Sequence, residues 1–146
     1  MAREYKKLIA WQRAHELTLT VYGHSKRFPN EERFGFTSQL RRSACSVPAN
    51  IAEGSGRETN RDYLRFLIIS RASLKETEYF LLLGLDLQYL QQAEYDLLIE
   101  LVNNTMRPLS GLIKAVRKET GVLHRIQTTV QATVLTTLAS CFSSLN

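Results

Sequence analysis

The sequence predicts an all-α protein, an antiparallel up-down four-helix bundle. Apolar residues recur at threes and fours along four successive stretches, and strand-like alternation is scarce. Three Pro and seven Gly in 146 residues leave little punctuation, so the connections are short and neighbouring helices are expected to run antiparallel. The length suits one domain, and 44% hydrophobic with 23% charged residues is an ordinary globular balance.

Helix one is predicted from Leu8 to Lys26, with Leu8, Trp11, Ala14, Leu17 and Val21 on its inward stripe and Phe28 just beyond it. Trp11 is expected to anchor the core and to need a partner for its indole N–H. His15 and His24 share no metal-ligand spacing and read as surface or core-edge residues. Pro29 ends the segment, and Pro29 to Glu32 reads as a turn or a single helical turn.

Helix two is predicted from Thr37 to Glu53, with Thr37 as its N-cap. Leu40, Ala44, Val47 and Ile51 form its inward face, and Ser43, Ala44, Cys45, Ser46, Ala49 and Ala52 are small enough for a neighbouring helix to approach closely. Pro48 lies inside this pattern. It removes the bond to the Ala44 carbonyl, predicts a kink, and calls for a compensating contact that the sequence does not identify.

Helix three starts at the Thr59/Asp62 capping pair and is placed to about Leu87, with Tyr63, Phe66, Leu67, Ser70, Leu74, Thr77, Phe80 or Leu81, and Gly84 facing inward. Arg71 is expected to bridge towards Glu76 or Glu78. Helix four opens near Gln91, with Glu94 as its capping partner, and runs to about Lys118 with Pro108 as a second internal proline. These elements make residues 1–120 the bundle domain. Residues 121–146 form a Thr/Ser-rich C-terminal tail with one Arg and no acid, and the run from Thr128 to Leu138 is β-prone. The alternatives for it are an extension packed on a partner and a poorly ordered tail, with the tail favoured.

The net charge of +5 is concentrated. Between Arg33 and Arg71 there are seven Arg, no Lys and three acids. Guanidinium suits bidentate phosphate or carboxylate contacts, although a basic solvated face is also consistent with this count. Enzyme signatures are lacking. Gly54-Ser55-Gly56-Arg57 follows a helix and lacks the Lys of a phosphate-binding loop, so it reads as a helix end. No base is positioned to activate Ser38, Ser43, Cys45 or Ser46. Glu76 and Glu100 lack the Glu-x-x-His partners of a di-iron bundle. The expectation is a non-enzyme without cofactor or metal. Two cysteines make no disulfide framework, no apolar run spans a bilayer, and the N-terminus lacks a signal peptide, so a cytoplasmic protein is expected.

Four segments resemble a known family: Leu8-Ile-Ala-Trp-Gln-Arg-Ala, the run from Phe28 to Ala44, Ser46-Val-Pro-Ala-Asn-Ile-Ala-Glu-Gly-Ser-Gly-Arg, and Tyr63-Leu-Arg-Phe-Leu. They are similar to the bacterial four-helix-bundle proteins encoded in intervening sequences of 23S rRNA genes, over roughly residues 5 to 118. The resemblance implies an antiparallel four-helix bundle that assembles as a homopentamer, often described as a ring around a basic channel. It implies little about activity. A related group, the accessory proteins of diversity-generating retroelements, shares the fold and binds nucleic acid and a reverse transcriptase, which makes RNA, DNA or a nucleic-acid-processing protein candidate partners. The tail departs from the family pattern.

Two functions follow from these readings. In the first, Arg41, Arg42, Arg57, Arg61 and Arg65 contact phosphates of RNA or DNA without strong sequence specificity. In the second, the protein is an interaction or scaffold ring in which Arg41 and Arg42 pair with acids of a neighbouring subunit, Glu53 among them.

Overall fold

In a computed structural model the described residues run from 4 to 143, with side chains described through 121. The chain is all-helical: α1 (Ile9–His24), α2 (Phe36–Ser55), α3 (Asn60–Asp86) and α4 (Gln92–Ser143), with single 3-10 turns at Tyr5–Lys7, Ser25–Arg27 and Asn30–Glu32. No strand occurs among the described residues. The inward stripes meet in one core, to which α1 gives Leu17 and Val21, α2 Leu40 and Ile51, α3 Tyr63, Leu67, Leu74 and Leu81, and α4 Leu98, Val102 and Leu109. Trp11 is not the anchor its size suggested. It is only half-buried, packed against the core's edge, stacked on His15 at 4.9 Å and met edge-on by Tyr5 at 5.1 Å.

Small side chains on α2 bring α3 close, and their hydroxyls bond across the gap. Thr77 Oγ1 lies 3.1 Å from Ser43 Oγ, Ser73 Oγ 3.0 Å from Ser46 Oγ, and Ser70 Oγ donates to the Val47 carbonyl at 2.9 Å. The pairs descend along α3 as they ascend along α2. Glycines close this seam at both ends. A Cβ on Gly54 would lie 2.7 Å from Phe66 Cβ, and one on Gly84 would lie 3.0 Å from Phe36 Cζ.

Pro48 is buried within a helix that continues past it. The carbonyl of Ala44, deprived of its usual N–H, accepts from Thr18 Oγ1 of α1 at 2.9 Å, and the same hydroxyl lies 2.8 Å from the Ala14 carbonyl. This is the compensation the proline requires. The next carbonyl but two, that of Val47, takes the Ser70 hydroxyl already described.

The caps of α3 and α4 form as expected. Thr59 Oγ1 accepts from the Asp62 N–H at 3.1 Å, and Glu94 Oε2 accepts from the Gln91 N–H at 3.0 Å. Thr37 is not the N-cap of α2. The helix begins a residue earlier, behind Gly35, and Glu32 Oε2 takes the Phe36 N–H at 2.9 Å. A side chain at the end of the 3-10 turn, reaching forward past Gly35, has displaced the local Thr cap. The glycine allows it, since a Cβ there would lie 2.8 Å from that carboxylate oxygen. Helix α4 passes its expected end at Lys118, and its backbone stays helical through the β-prone run to Ser143. Once nucleated, a helix extends at little cost per residue, so local propensity there is a weak determinant.

Candidate nucleic-acid interface

Arginines stand near the start of helix α2 and just past its end, and the structure separates them. Arg41 and Arg57 stand sixteen positions apart, and the helix from Arg41 to Ser55 alone is roughly 20 Å long at ~1.5 Å per residue. The five arginines proposed from the sequence therefore form two groups.

The first group is at the α2–α3 corner. Gly54 and Gly56 bring α2 to a stop, the Gly56 N–H bonds the Glu53 carbonyl at 3.2 Å, and the chain turns to the Thr59 cap. This places Arg57, Arg61 and Arg65 at four-residue intervals, all exposed. Arg57 is held on two sides: it pairs with Glu53 one turn earlier, and its guanidinium carbon sits 4.4 Å over the Phe66 ring. Arg61 and Arg65 have no ion-pair partner among the described residues. Arg57 and Arg65 line a groove with Asp62, Phe66 and Ile69. Asp62, the acid in that groove, is engaged by the Thr59 hydroxyl at 2.6 Å.

The second group lies near the start of α2. Arg41 is half-buried, donates from Nε to Ser25 Oγ at 2.7 Å, and lies 5.0 Å over the Tyr22 ring. Arg42 is exposed and 3.7 Å from Glu76 of α3 in the same chain. Glu53, a candidate partner for them across subunits, pairs with Arg57 within the chain. Arg71 does not bridge to Glu76 or Glu78, since Glu76 faces Arg42 and Glu78 takes Lys75 at 2.6 Å. Arg33, which was counted in the basic run but given no role, lies beside Arg41 along a cavity and stacks 5.5 Å from the exposed Phe34 ring.

Among the described residues no three His, Cys, Asp or Glu side chains gather as a metal set, and no helix is long and apolar enough to cross a membrane.

An all-helical bundle with a basic corner and an Arg-bearing second helix defines a class of small helical proteins. Within that class, the family model described as 23S rRNA-intervening sequence protein matches residues 6–111, and the chain belongs to this family. Among solved structures, it is similar to a protein of unknown function from the S23 ribosomal protein family of Bacteroides thetaiotaomicron. The TM-score is 0.68 at 23% identity, over 73% of this chain and 99% of that one. At that identity the likeness speaks to the fold. No curated protein matches the sequence.

Proposed function

We propose that this chain is a non-enzymatic, oligomeric bundle that binds RNA or DNA through phosphate contacts at the α2–α3 corner, without strong sequence specificity. The observation that carries this reading is the row Arg57, Arg61, Arg65. All three are exposed; Arg61 and Arg65 stand one turn apart on α3 with no carboxylate partner among the described residues, and Arg57 lies in the turn just before that helix. Side chains four apart on a helix stand ~5–6 Å from one another, close enough to reach successive phosphates of one strand. Arg57, propped on Phe66, is fixed in advance, so less side-chain freedom is lost when it binds. Arg42 is left to its pair with Glu76.

The oligomer we propose is the homopentamer of antiparallel up-down bundles that the resemblance implies. Supporting it, Ile68, Tyr79 and Leu82 are exposed apolar residues on the outer side of α3, with Lys75 between them, a surface that subunit packing would cover. Fivefold repetition would multiply the corner's charge into a strong field. The setting proposed is the cytosol, where the exposed Cys45 stays a thiol.

The test is the anisotropy of a labelled generic RNA titrated with the protein across a salt series. Log affinity is expected to fall linearly with log salt. Arg61→Ala/Arg65→Ala is expected to weaken binding and make the slope shallower by about 0.7–0.9 per phosphate contact removed, whereas Arg42→Ala leaves both nearly unchanged. Undiminished affinity in the corner double variant removes this assignment.

A further inference from the structure

We propose that the cavity between the α1–α2 connection and the first turns of α2 binds a phosphate group, at the opposite end of α2 from the nucleic-acid corner and independently of it. The cavity is about 300 Å³, and its walls include Lys26, Arg33 and Arg41 but no carboxylate. The three cations come from separate places in the chain: the 3-10 turn after α1, the turn before α2, and α2 itself. The fold has gathered them there.

Arg41 is built for a ligand. Ser25 holds its Nε at 2.7 Å, and the Tyr22 ring supports its guanidinium carbon at 5.0 Å. The Ser25 hydroxyl is itself directed to the Tyr22 carbonyl at 3.3 Å. Both terminal NH2 groups of this half-buried guanidinium remain, and no carboxylate pairs with it among the described residues. A guanidinium oriented in this way presents a two-pronged donor to an oxyanion.

Thr37 supplies an independent observation. It lines the same cavity and is 5% exposed, and its Oγ1 is buried without a hydrogen-bond partner. Buried hydroxyls are nearly always paired, so this one lacks the partner that its burial calls for. The amides of Thr37 and Ser38, in the first turn of a helix of 20 residues, also find no acceptor among the described residues. Free N–H groups at a helix start favour an anion. Glu32, the carboxylate at this helix start, is engaged elsewhere: it takes the Phe36 N–H at 2.9 Å and the Tyr89 hydroxyl at 3.2 Å, and it does not line the cavity. A tetrahedral oxyanion therefore meets the Arg41 fork, the Thr37 hydroxyl after a turn about χ1, and Arg33 and Lys26 at the rim. The phosphate is either free in solution or the end of a nucleic-acid strand.

The test is an NMR titration of the full chain with inorganic phosphate at constant ionic strength, following backbone amides and arginine Nε–H signals. Saturable shifts are expected at Ser25, Thr37 and Arg41. Arg41→Gln weakens binding by about tenfold and Thr37→Val by a few-fold. Arg33→Gln, at an exposed position that leaves the fold intact, also weakens it. Arg61→Ala/Arg65→Ala leaves phosphate binding unchanged, so loss of RNA affinity and loss of this site are separable. A second arm compares one oligonucleotide with and without a terminal phosphate as a competitor. Stronger displacement by the phosphorylated strand assigns a strand end, and binding of inorganic phosphate with no such preference assigns the free anion. Absence of saturation, shifts of equal size at the corner arginines, or full affinity in both Arg41→Gln and Arg33→Gln overturns the proposal.

Discussion

Thr18 sits between two helices with its hydroxyl within hydrogen-bond reach of the Ala14 and Ala44 carbonyls, and the second of these is the one Pro48 leaves without an N–H. Thr18→Val keeps the shape and removes the donor, so it is expected to cost about 1–3 kcal/mol in chemical denaturation. In the Pro48→Ala background the same change should cost less, because the helix regains its own donor for Ala44; equal costs in both backgrounds would show that the hydroxyl serves some other purpose. Glycines give a second contrast. Gly54→Ala sets a Cβ 2.7 Å from Phe66 Cβ and 3.0 Å from Tyr63 Cδ2, atoms close to the α3 backbone that cannot swing away, and a loss of about 1–3 kcal/mol is expected. Gly111→Ala, with nothing within 4 Å, is expected to stabilise α4 by about 0.5–1 kcal/mol. Thermal unfolding of the two variants should move in opposite directions. Neither contact was legible in the sequence. Pro48 announced a need, but its answer lies on another helix.

At the scale of elements, the start of α4 is tied to the end of α1. The Gln91 N–H, and then the Arg27 guanidinium, hold the Glu94 carboxyl below the usual carboxylate range, with His24 3.3 Å away. A carboxyl whose pKa is lowered by folding contributes stability that is present above its unfolded pKa and is lost as the pH falls through the folded value. Glu94→Gln should therefore flatten the acid limb of the stability–pH curve, read from denaturation midpoints over a pH series. An unchanged limb would mean the capping carboxyl carries none of it. The caps at Thr59/Asp62 and Gln91/Glu94 were readable in the sequence because both members lie within one turn of chain. The start of α2 was misplaced because its cap, Glu32, stands at the end of a 3-10 turn and reaches forward past Gly35, and Thr37 merely resembled one. The end of α4 was misplaced for a different reason. Its Thr-rich continuation has no clean period, yet the backbone continues from an established helix.

For the whole molecule, the bundle was legible because periodicity reports which faces are buried, and the inward residues expected on α2 and α3 are nearly all in the core. The candidate site was legible only as a list of cations. The five proposed arginines read as a single patch, and only the length of α2 shows that its two ends divide them. If the exposed apolar residues of α3 make a subunit contact, Ile68→Glu/Leu82→Glu should lower the mass found by sedimentation while leaving the helical content intact. A wild-type mass of one chain would exclude the ring. The α2–α3 seam has a further consequence. An oily interface tolerates sliding, because one methyl is much like the next, whereas three hydroxyl contacts bounded by two glycine notches fit together in a single register. The seam thus works as a vernier. It sets how far the Arg61 and Arg65 rungs stand above the end of α2, and extra residues spliced into the short connection at 56–59 would bulge outward and leave that spacing as it is.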